Sequence, residues 1–423
     1  MSISLPLAVE NSTATPDPQE QYSPSVAARL DRWFAAARDY IAHAVLLDDS
    51  HLDDPDTSLS RTQMLSLAIG FLGCDTPEHR NNRTYTLIYT DPDQGTSNYQ
   101  TLAVPYYAPS SPIIFARDPR SRAATLSLRS SGETIADVVV HARILGASQH
   151  YYSRVAPDFT ELPTAAIVSP YSTCAGGCLG CSRGAVSSFT APPRNYIVEH
   201  VTQLAADYDR RGWDRGALVS VNITTGCQPD EGKELTMMLA LMAEYRRQGF
   251  SNAAFHVFTY AIHSTTAMTQ LLEAGAIGFV GTIETINDQE RIRQWGKKKG
   301  AITFEQHVEK YRRAHQVGFP IVETDYVLGA DSYDEMIEGI LELDRNRVAV
   351  VPNIKRNYDL AQLHSNHDDI WSMGMPYIVD GFHAALATYR HGTIKRRAAR
   401  KSLEYLRARG WELSLRDLPI RHT

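Results

Sequence analysis

Residues 165–181 read Ala-Ala-Ile-Val-Ser-Pro-Tyr-Ser-Thr-Cys174-Ala-Gly-Gly-Cys178-Leu-Gly-Cys181. A short apolar run, predicted as a strand over 165–171, passes straight into a glycine-rich loop. That loop places three cysteines within eight residues. Downstream, short apolar runs alternate with longer stretches of helical period. The predicted strands cover 165–171, 217–224, 253–260, 278–284, 320–328 and 348–353. The predicted helices cover 194–210, 232–248, 264–274, 304–317 and 333–344.

Strands that alternate with helices pair in parallel through right-handed crossovers. Six such units predict an α/β chain with a partial (βα)6 TIM-like barrel over residues 161–380. Such barrels carry their active sites at the C-terminal ends of the strands. The cysteine loop follows the first strand, so it lies at that end. Residues 23–160 have a different pattern and are expected to form an N-terminal α+β accessory domain. Ser23-Pro24 reads as a cap followed by proline at the first helical position. Val26, Leu30, Trp33, Phe34, Ala37, Tyr40, Ile41 and Val45 then recur at helical spacing. A short helix is predicted over 62–72, with strands over 84–89, 101–107, 113–117 and 125–128. The first two strands flank the turn signal Asp91-Pro92-Asp93-Gln94-Gly95. Residues 1–22 are expected to be a flexible polar tail, and 381–423 a helical extension. The basic stretch from Lys395 to Lys401 reads as an exposed helix face.

A chain of 423 residues suits one large domain with a smaller companion, and its hydrophobic content of 43% permits a buried core. The net charge of −6 gives no global attraction to nucleic acid or to an anionic membrane. With no recognisable RNA module, that balance argues against a nucleic-acid substrate. No apolar run is long enough to span a bilayer, and the N-terminus lacks the pattern of a secretory signal. The five cysteines are odd in number and clustered, unlike a disulfide framework. Together these features indicate a reducing cytoplasm.

Thiolates are the ligands that hold iron–sulfur clusters. Three of them, at the CxxxCxxC spacing of Cys174, Cys178 and Cys181, leave one iron of a [4Fe–4S] cube open. An open iron can chelate the amino and carboxylate groups of a bound molecule. Gly176, Gly177 and Gly180 let the loop wrap a cube and turn its N–H groups toward the sulfides. The competing reading is a non-catalytic zinc- or cluster-binding protein. Structural zinc takes four ligands, and the loop has neither a histidine nor a second cysteine pair. Outside the motif, Cys74 reads as a small buried apolar residue and Cys227 as either packed or close to the cofactor. Two separated cysteines cannot supply a second cluster, so no auxiliary cluster is expected.

CxxxCxxC after the first strand of a βα array resembles the radical S-adenosylmethionine (radical SAM) superfamily, and the likeness spans about 164–355. It implies a [4Fe–4S] cluster, S-adenosylmethionine, and reductive cleavage to a 5′-deoxyadenosyl radical that takes hydrogen from a substrate. It also implies a reducing partner such as flavodoxin or ferredoxin. The residue before the third cysteine is commonly aromatic in that superfamily; here it is Gly180, so another residue must fill that space. The run Thr225-Gly226-Cys227-Gln228-Pro229-Asp230-Glu231 is similar to the segment that receives the methionine amino group. The run Gly281-Thr282-Ile283-Glu284-Thr285, with the helix after it, resembles the ribose-binding strand of the biotin synthase-like branch. Glu284 would then face the ribose hydroxyls. The run ending Leu328-Gly329-Ala330, with Glu335, resembles that branch's adenine-contacting strand end. Candidates for the carboxylate-binding cation are Arg291, Arg293 and Lys297-Lys298-Lys299. Taken alone, the three lysines read as a solvated loop.

The strands give a test independent of resemblance, because alternate side chains share a face. Ser220, Asn222 and Thr224 share one, as do His256 and Tyr260, Thr282 and Glu284, and Glu323 and Asp325, with Asn353 and Lys355 at the end of the sixth strand. A parallel strand buried on both faces should be almost wholly apolar. A polar lumen that binds a polar ligand accounts for the exceptions. The expected substrate is a small polar metabolite, with an amine held by Glu323 or Asp325. The alternative within enzymes is peptide modification, with the accessory domain binding a leader segment. Cys227, His256, Tyr260, Glu323 and Asp325 are the candidate catalytic residues, Cys227 as a hydrogen donor. The bland readings are a satisfied core histidine at 256 and a salt-bridge network of Glu323 and Asp325 with Lys355.

Overall fold

The computed structural model describes Cys74 and Asp75, the strands and a few adjoining residues between 85 and 168, and residues 196–227, 230–354 and 375–388. The cysteine loop, the predicted helices over 26–45 and 62–72, Lys355 and the stretch 395–401 lie outside the described residues. Strands β1 (Tyr85–Thr90), β2 (Tyr99–Val104), β3 (Ile113–Arg117), β4 (Ala123–Leu128) and β5 (Thr134–His141) form an antiparallel sheet in the order β2-β1-β5-β4-β3. Asp75 bridges to β3: its N–H donates to Ile113 O at 2.8 Å, and its carbonyl accepts from Phe115 N at 2.7 Å. Cys74 beside it is fully buried, and burial pushes its thiol pKa far up. It packs as a small apolar residue, as expected.

The second sheet holds β6 (Leu145–Gly146), β7 (Gln149–Val155), β8 (Glu161–Val168), β9 (Ser220–Thr224), β10 (Ala254–Phe258), β11 (Ala276–Glu284), β12 (Ile321–Leu328) and β13 (Ala349–Ile354), in the order β13-β12-β11-β10-β9-β8-β7-β6. The six strands β8 to β13 run parallel, and the β6–β7 hairpin adds to the β8 edge antiparallel. The parallel part is the partial barrel that the alternation predicts. The sheet continues across residue 160. Strands β5, β6 and β7 have no counterpart among the predicted elements.

Helices follow as α1 (Tyr196–Arg211), α2 (Glu231–Arg247), α3 (Thr265–Glu273), α4 (Asp288–Lys299), α5 (Phe304–Val317), α6 (Tyr333–Arg345) and α7 (Met375–Ala387). Five of them start on a side chain that accepts from the first-turn amides: Asp230, Ser264, Asn287, Thr303 and Ser332. Each cap satisfies donors the helix cannot, at about 1 kcal/mol apiece. The outward face of the strands carries Val221, Ile223, Phe255, Val257, Phe279, Ile283 and Val322, buried in one core with the helices. Helix α4 corrects the expectation of a loop at Lys297–Lys299. It bends at Gly296, which sits at φ 81°, and its last turn is helical.

Candidate active site at the C-terminal ends of the strands

Register decides which side chains share the lumen. Ser220, Asn222 and Thr224 pair with Ala254, His256 and Phe258. Phe258 pairs with Val280, Val280 with Glu323, and Thr282 with Asp325. Glu323 and Asp325 pair in turn with Ala349 and Val351. In a parallel sheet, paired residues point the same way. Asn222, His256, Thr282, Glu323 and Asp325 therefore share one face with the apolar cluster of Phe258, Val280 and Ile321, in which Ile321 is level with Asn222 and His256, and Phe258 and Val280 are level with Glu323. His256 and Glu323 are 0% and 1% exposed. The Oδ1 of Asn222 is buried and has no hydrogen-bond partner.

Two of the expected placements change. Strand β10 ends at Phe258, so Tyr260 does not share the His256 face. Its hydroxyl lies 2.7 Å and 2.9 Å from the carbonyl oxygens of Lys298 and Lys299 and ties the β10 loop to the end of α4. A register irregularity between Thr282 and Glu284 pairs Glu284 with Tyr326 rather than with a lumen residue. Simple alternation from Thr282 therefore fails there. Glu284 takes φ 60°, the left-handed region that a non-glycine residue enters only when its surroundings force it. One carboxylate oxygen is paired with Lys299, while Oε2 is buried without a partner.

The mouth of the lumen is apolar on one side. Cys227 and Trp295 pack together with Tyr260 and Val327. Trp295 Nε1 donates to Thr285 Oγ1, and Lys299 Nζ stands 5.7 Å from the Trp295 ring centroid. Lys299 is thus buried and paired rather than solvated. Arg293 closes on Glu290 within α4. Arg291 behaves differently from the cofactor-binding cation that the sequence suggested. It is fully buried, and its five N–H groups meet the carbonyls of Ile283, Thr285, Ile286 and Ile302 and the carboxylate of Asp288. A cation so engaged has no donor left for a cofactor carboxylate. Leu328 is corrected as well: its side chain lies against Gly381 of α7, away from the mouth. At this strand end the backbone at Gly329, φ 94°, remains for a close approach.

Three buried charged residues on the loops and helices behind the mouth were not among the sequence candidates. Glu234 of α2 accepts from Thr225 Oγ1, from Thr259 Oγ1 at 2.8 Å and from Ala261 N at 3.1 Å. Burial pushes its pKa up, against those hydrogen bonds and the charge of Lys310. Lys310 of α5 donates to the carbonyls of Thr259 and Tyr260, at 3.2 Å and 3.1 Å. Burial pulls its pKa down to about 8, against the charge of Glu234. Asp331, after β12, accepts from Ile286 N, Asn287 N and Tyr326 Oη. A polar residue on a mainly amphipathic helix reads as solvated, and no local signal separated Glu234 or Lys310 from their exposed neighbours. His307 of α5 is also fully buried, and neither ring nitrogen has a hydrogen-bond partner. Burial holds its pKa well below the ordinary histidine value, with the charges of Lys310, Arg291 and Lys299 adding to the effect.

Residues 168–343 match the Radical SAM superfamily. That stretch is a radical SAM domain. A radical SAM enzyme works with a [4Fe–4S] cluster and S-adenosylmethionine, and it needs a substrate and an external reductant. Similar solved structures include HydG, a maturase of the [FeFe]-hydrogenase, at 14% identity and TM-score 0.36, covering 45% of this chain and 42% of that one. Methylornithine synthase PylB is 14% identical with TM-score 0.37, over 53% of this chain and 68% of that one. Coproporphyrinogen III oxidase HemN from Escherichia coli is 9% identical with TM-score 0.33, over 49% and 50%. The match to HydG thus takes in less than half of that protein's length. No curated protein sequence matches the chain. No helix among the described residues is long and apolar enough to cross a membrane.

The residues that would hold the cluster lie outside the described ones, and two observations on the described residues suit S-adenosylmethionine. Glu284 Oε2 and Asn222 Oδ1 are acceptors buried without donors, and an unsatisfied buried acceptor is costly unless a ligand supplies one. Gly226, at φ 67°, lets the backbone turn between Thr225 and Cys227, where a side chain would strain it.

Proposed function

We propose that this radical SAM enzyme acts on a small polar metabolite bearing an amine, held in the barrel lumen by Glu323 and Asp325. The observation that carries this reading is the shared polar face of Asn222, His256, Thr282, Glu323 and Asp325, in strands whose other face is mainly apolar. Burying such groups costs several kcal/mol unless they bind one another or a ligand. When bound, the cluster supplies the electron that splits S-adenosylmethionine, and the resulting 5′-deoxyadenosyl radical takes a hydrogen atom from the substrate.

In this reading Cys174, Cys178 and Cys181 hold the cluster. Thr225 and Gly226 receive the methionine amino group, and Thr282 and Glu284 the ribose. Glu284 can accept a hydroxyl on Oε2 while its other oxygen stays with Lys299. Lys299 and Arg293 are the cations left for the carboxylate, and the backbone at Gly329 meets the adenine. Trp295 and Val327 keep water from the mouth. His256 orients the substrate beside Asn222. Cys227 returns a hydrogen atom to the product radical, and the thiyl radical left behind regains its thiol by taking one electron from the external donor, a flavodoxin or a ferredoxin in the cytoplasm, and one proton from water. Residues 23–160 act as the accessory domain. Rearrangement, epimerisation, elimination or coupling are the outcomes open to this arrangement.

The test uses anaerobic, reduced enzyme with deuterated candidate metabolites. Deuterium in 5′-deoxyadenosine identifies the substrate and the hydrogen removed. Label arriving only from peptides would replace the metabolite reading with peptide modification.

A further inference from the structure

Glu284 is the residue whose placement most needs explaining. It ends β11 at φ 60°, and the chain then turns through Thr285, Ile286 and Asn287 into α4. A strained non-glycine backbone persists only where its surroundings over-determine it. Two buried groups do this from opposite sides. Arg291 takes the carbonyls of Ile283, Thr285 and Ile286. Asp331 takes the amides: Oδ2 accepts from Ile286 N at 2.8 Å, and Oδ1 from Asn287 N at 2.9 Å. Arg291 lies on α4 itself, so it fastens the turn to its own helix. Asp331 comes from the next loop of the barrel, after β12, and fastens the turn to the rest of the domain.

We propose that Asp331 is a positioning residue for S-adenosylmethionine, holding residues 285–287 so that Glu284 meets the cofactor ribose. The proposal rests on the ribose role given to Glu284 above. Asp331 is itself fixed by Tyr326, whose hydroxyl donates to Oδ2 at 2.8 Å, and by Tyr377 of α7, whose hydroxyl donates to the Asp331 carbonyl at 2.8 Å. Glu335 of α6 also faces it, and none of these groups is a cation. Burial pushes the Asp331 pKa up from 3.8 to about 6, against the hydrogen bonds from Ile286, Asn287 and Tyr326. An acid raised in the folded state favours folding at low pH, and that contribution is lost as pH rises from about 4 to about 6. At neutral pH the carboxylate therefore works against stability, yet it accepts from two backbone amides of one turn.

Asn at this position is nearly isosteric and removes the charge, but it has one acceptor oxygen for two amides. Asp331→Asn removes a buried charge but leaves one amide without an acceptor, two opposed effects, so the melting temperature at pH 8 should change little. Backbone hydrogen exchange over residues 285–288 should speed up by about tenfold while the rest of the barrel is unaffected. S-adenosylmethionine affinity of the cluster-loaded enzyme, by calorimetry, should fall by about tenfold. A lower melting temperature with faster exchange throughout the barrel, or affinity within about twofold of wild type, would overturn the proposal.

Should Asp331→Asn fail to fold, pH decides. Wild-type affinity should weaken as pH falls through about 6. Tyr326→Phe removes one hydrogen bond to the carboxylate and should move that midpoint upward. A flat wild-type curve or an unmoved midpoint rules Asp331 out. Glu284→Ala separates this inference from the site reading. Unchanged affinity in that variant removes the ribose role, whereas weakened affinity there with unchanged affinity in Asp331→Asn removes the Asp331 role alone.

Discussion

The loops after β9 and β10 and the loops after β11 and β12 flank the same mouth, but they are fastened by different chemistry. In the first region Glu234 and Lys310 come from different helices and meet on Thr259: Glu234 accepts from its hydroxyl, and Lys310 donates to its carbonyl. Their charges are opposite, both are buried, and each opposes the burial shift of the other. In the second region Arg291 and Asp331 grip the two polar sides of a single turn and share no bond. The first fastening is therefore mutual, and losing one member leaves the other charge stranded. The second is divided, and its members can be removed one at a time.

The largest effect expected lies outside both regions and gives the reference for them. Ala at Cys174, Cys178 or Cys181 should abolish 5′-deoxyadenosine formation, and the wild type should carry about four irons per chain. About eight irons, with about half surviving in the triple variant, would show a second cluster. Next comes the mutual fastening. Glu234→Gln leaves the Lys310 charge buried on its two carbonyls without its main opposite charge and should cost about 3–5 kcal/mol of stability in denaturant titrations. Adding Lys310→Met should recover much of that loss. If the two losses simply add, the pair is not coupled and the contrast between the regions fails.

A smaller effect is expected from Glu284. Losing a charged acceptor costs about 1.5–3 kcal/mol, so Glu284→Ala should weaken S-adenosylmethionine binding at least about tenfold with the iron content unchanged. Unchanged affinity in a calorimetric titration would take Glu284 out of the site. The smallest effect concerns His307, which stands within reach of the charges of Lys310 in one region and Arg291 in the other. Its pKa is lowered by burial, so the unfolded chain binds a proton below about pH 6.5 that the folded one refuses. Stability is then full above that pH and declines below it, by up to about 1.4 kcal/mol per unit. His307→Phe should flatten this part of the pH profile. An unchanged slope would assign the loss to other groups.

Much of this architecture was legible in local pattern. The alternation of apolar runs and helical periods marked the order of β8 to β13, and α5 begins and ends where its periodicity does, at Phe304 and Val317. Helix α4 escaped because Ile292 and Trp295 are its only apolar side chains apart from the glycine at the bend. The polar lumen face was legible too, since alternation is a property of any strand. It misled at two places, Tyr260 and Glu284. There a strand stops or slips register, and neither event has a sequence mark.

The sequence by itself determined the residues available: three cysteines at CxxxCxxC spacing, just after the first strand of a parallel array, with polar residues alternating through the strands that follow. These are local facts, fixed by spacing along the chain. Only the tertiary structure decided what the charged residues do. Arg291 looked like a ligand for a cofactor carboxylate and is a clamp on the turn after β11, because the carbonyls it meets converge on it when the chain bends back. Glu234, Lys310 and Asp331 looked like ordinary helix and loop residues and are buried fastenings. Burial and partner choice depend on which distant loops the parallel strands bring side by side, and no single stretch of sequence records that.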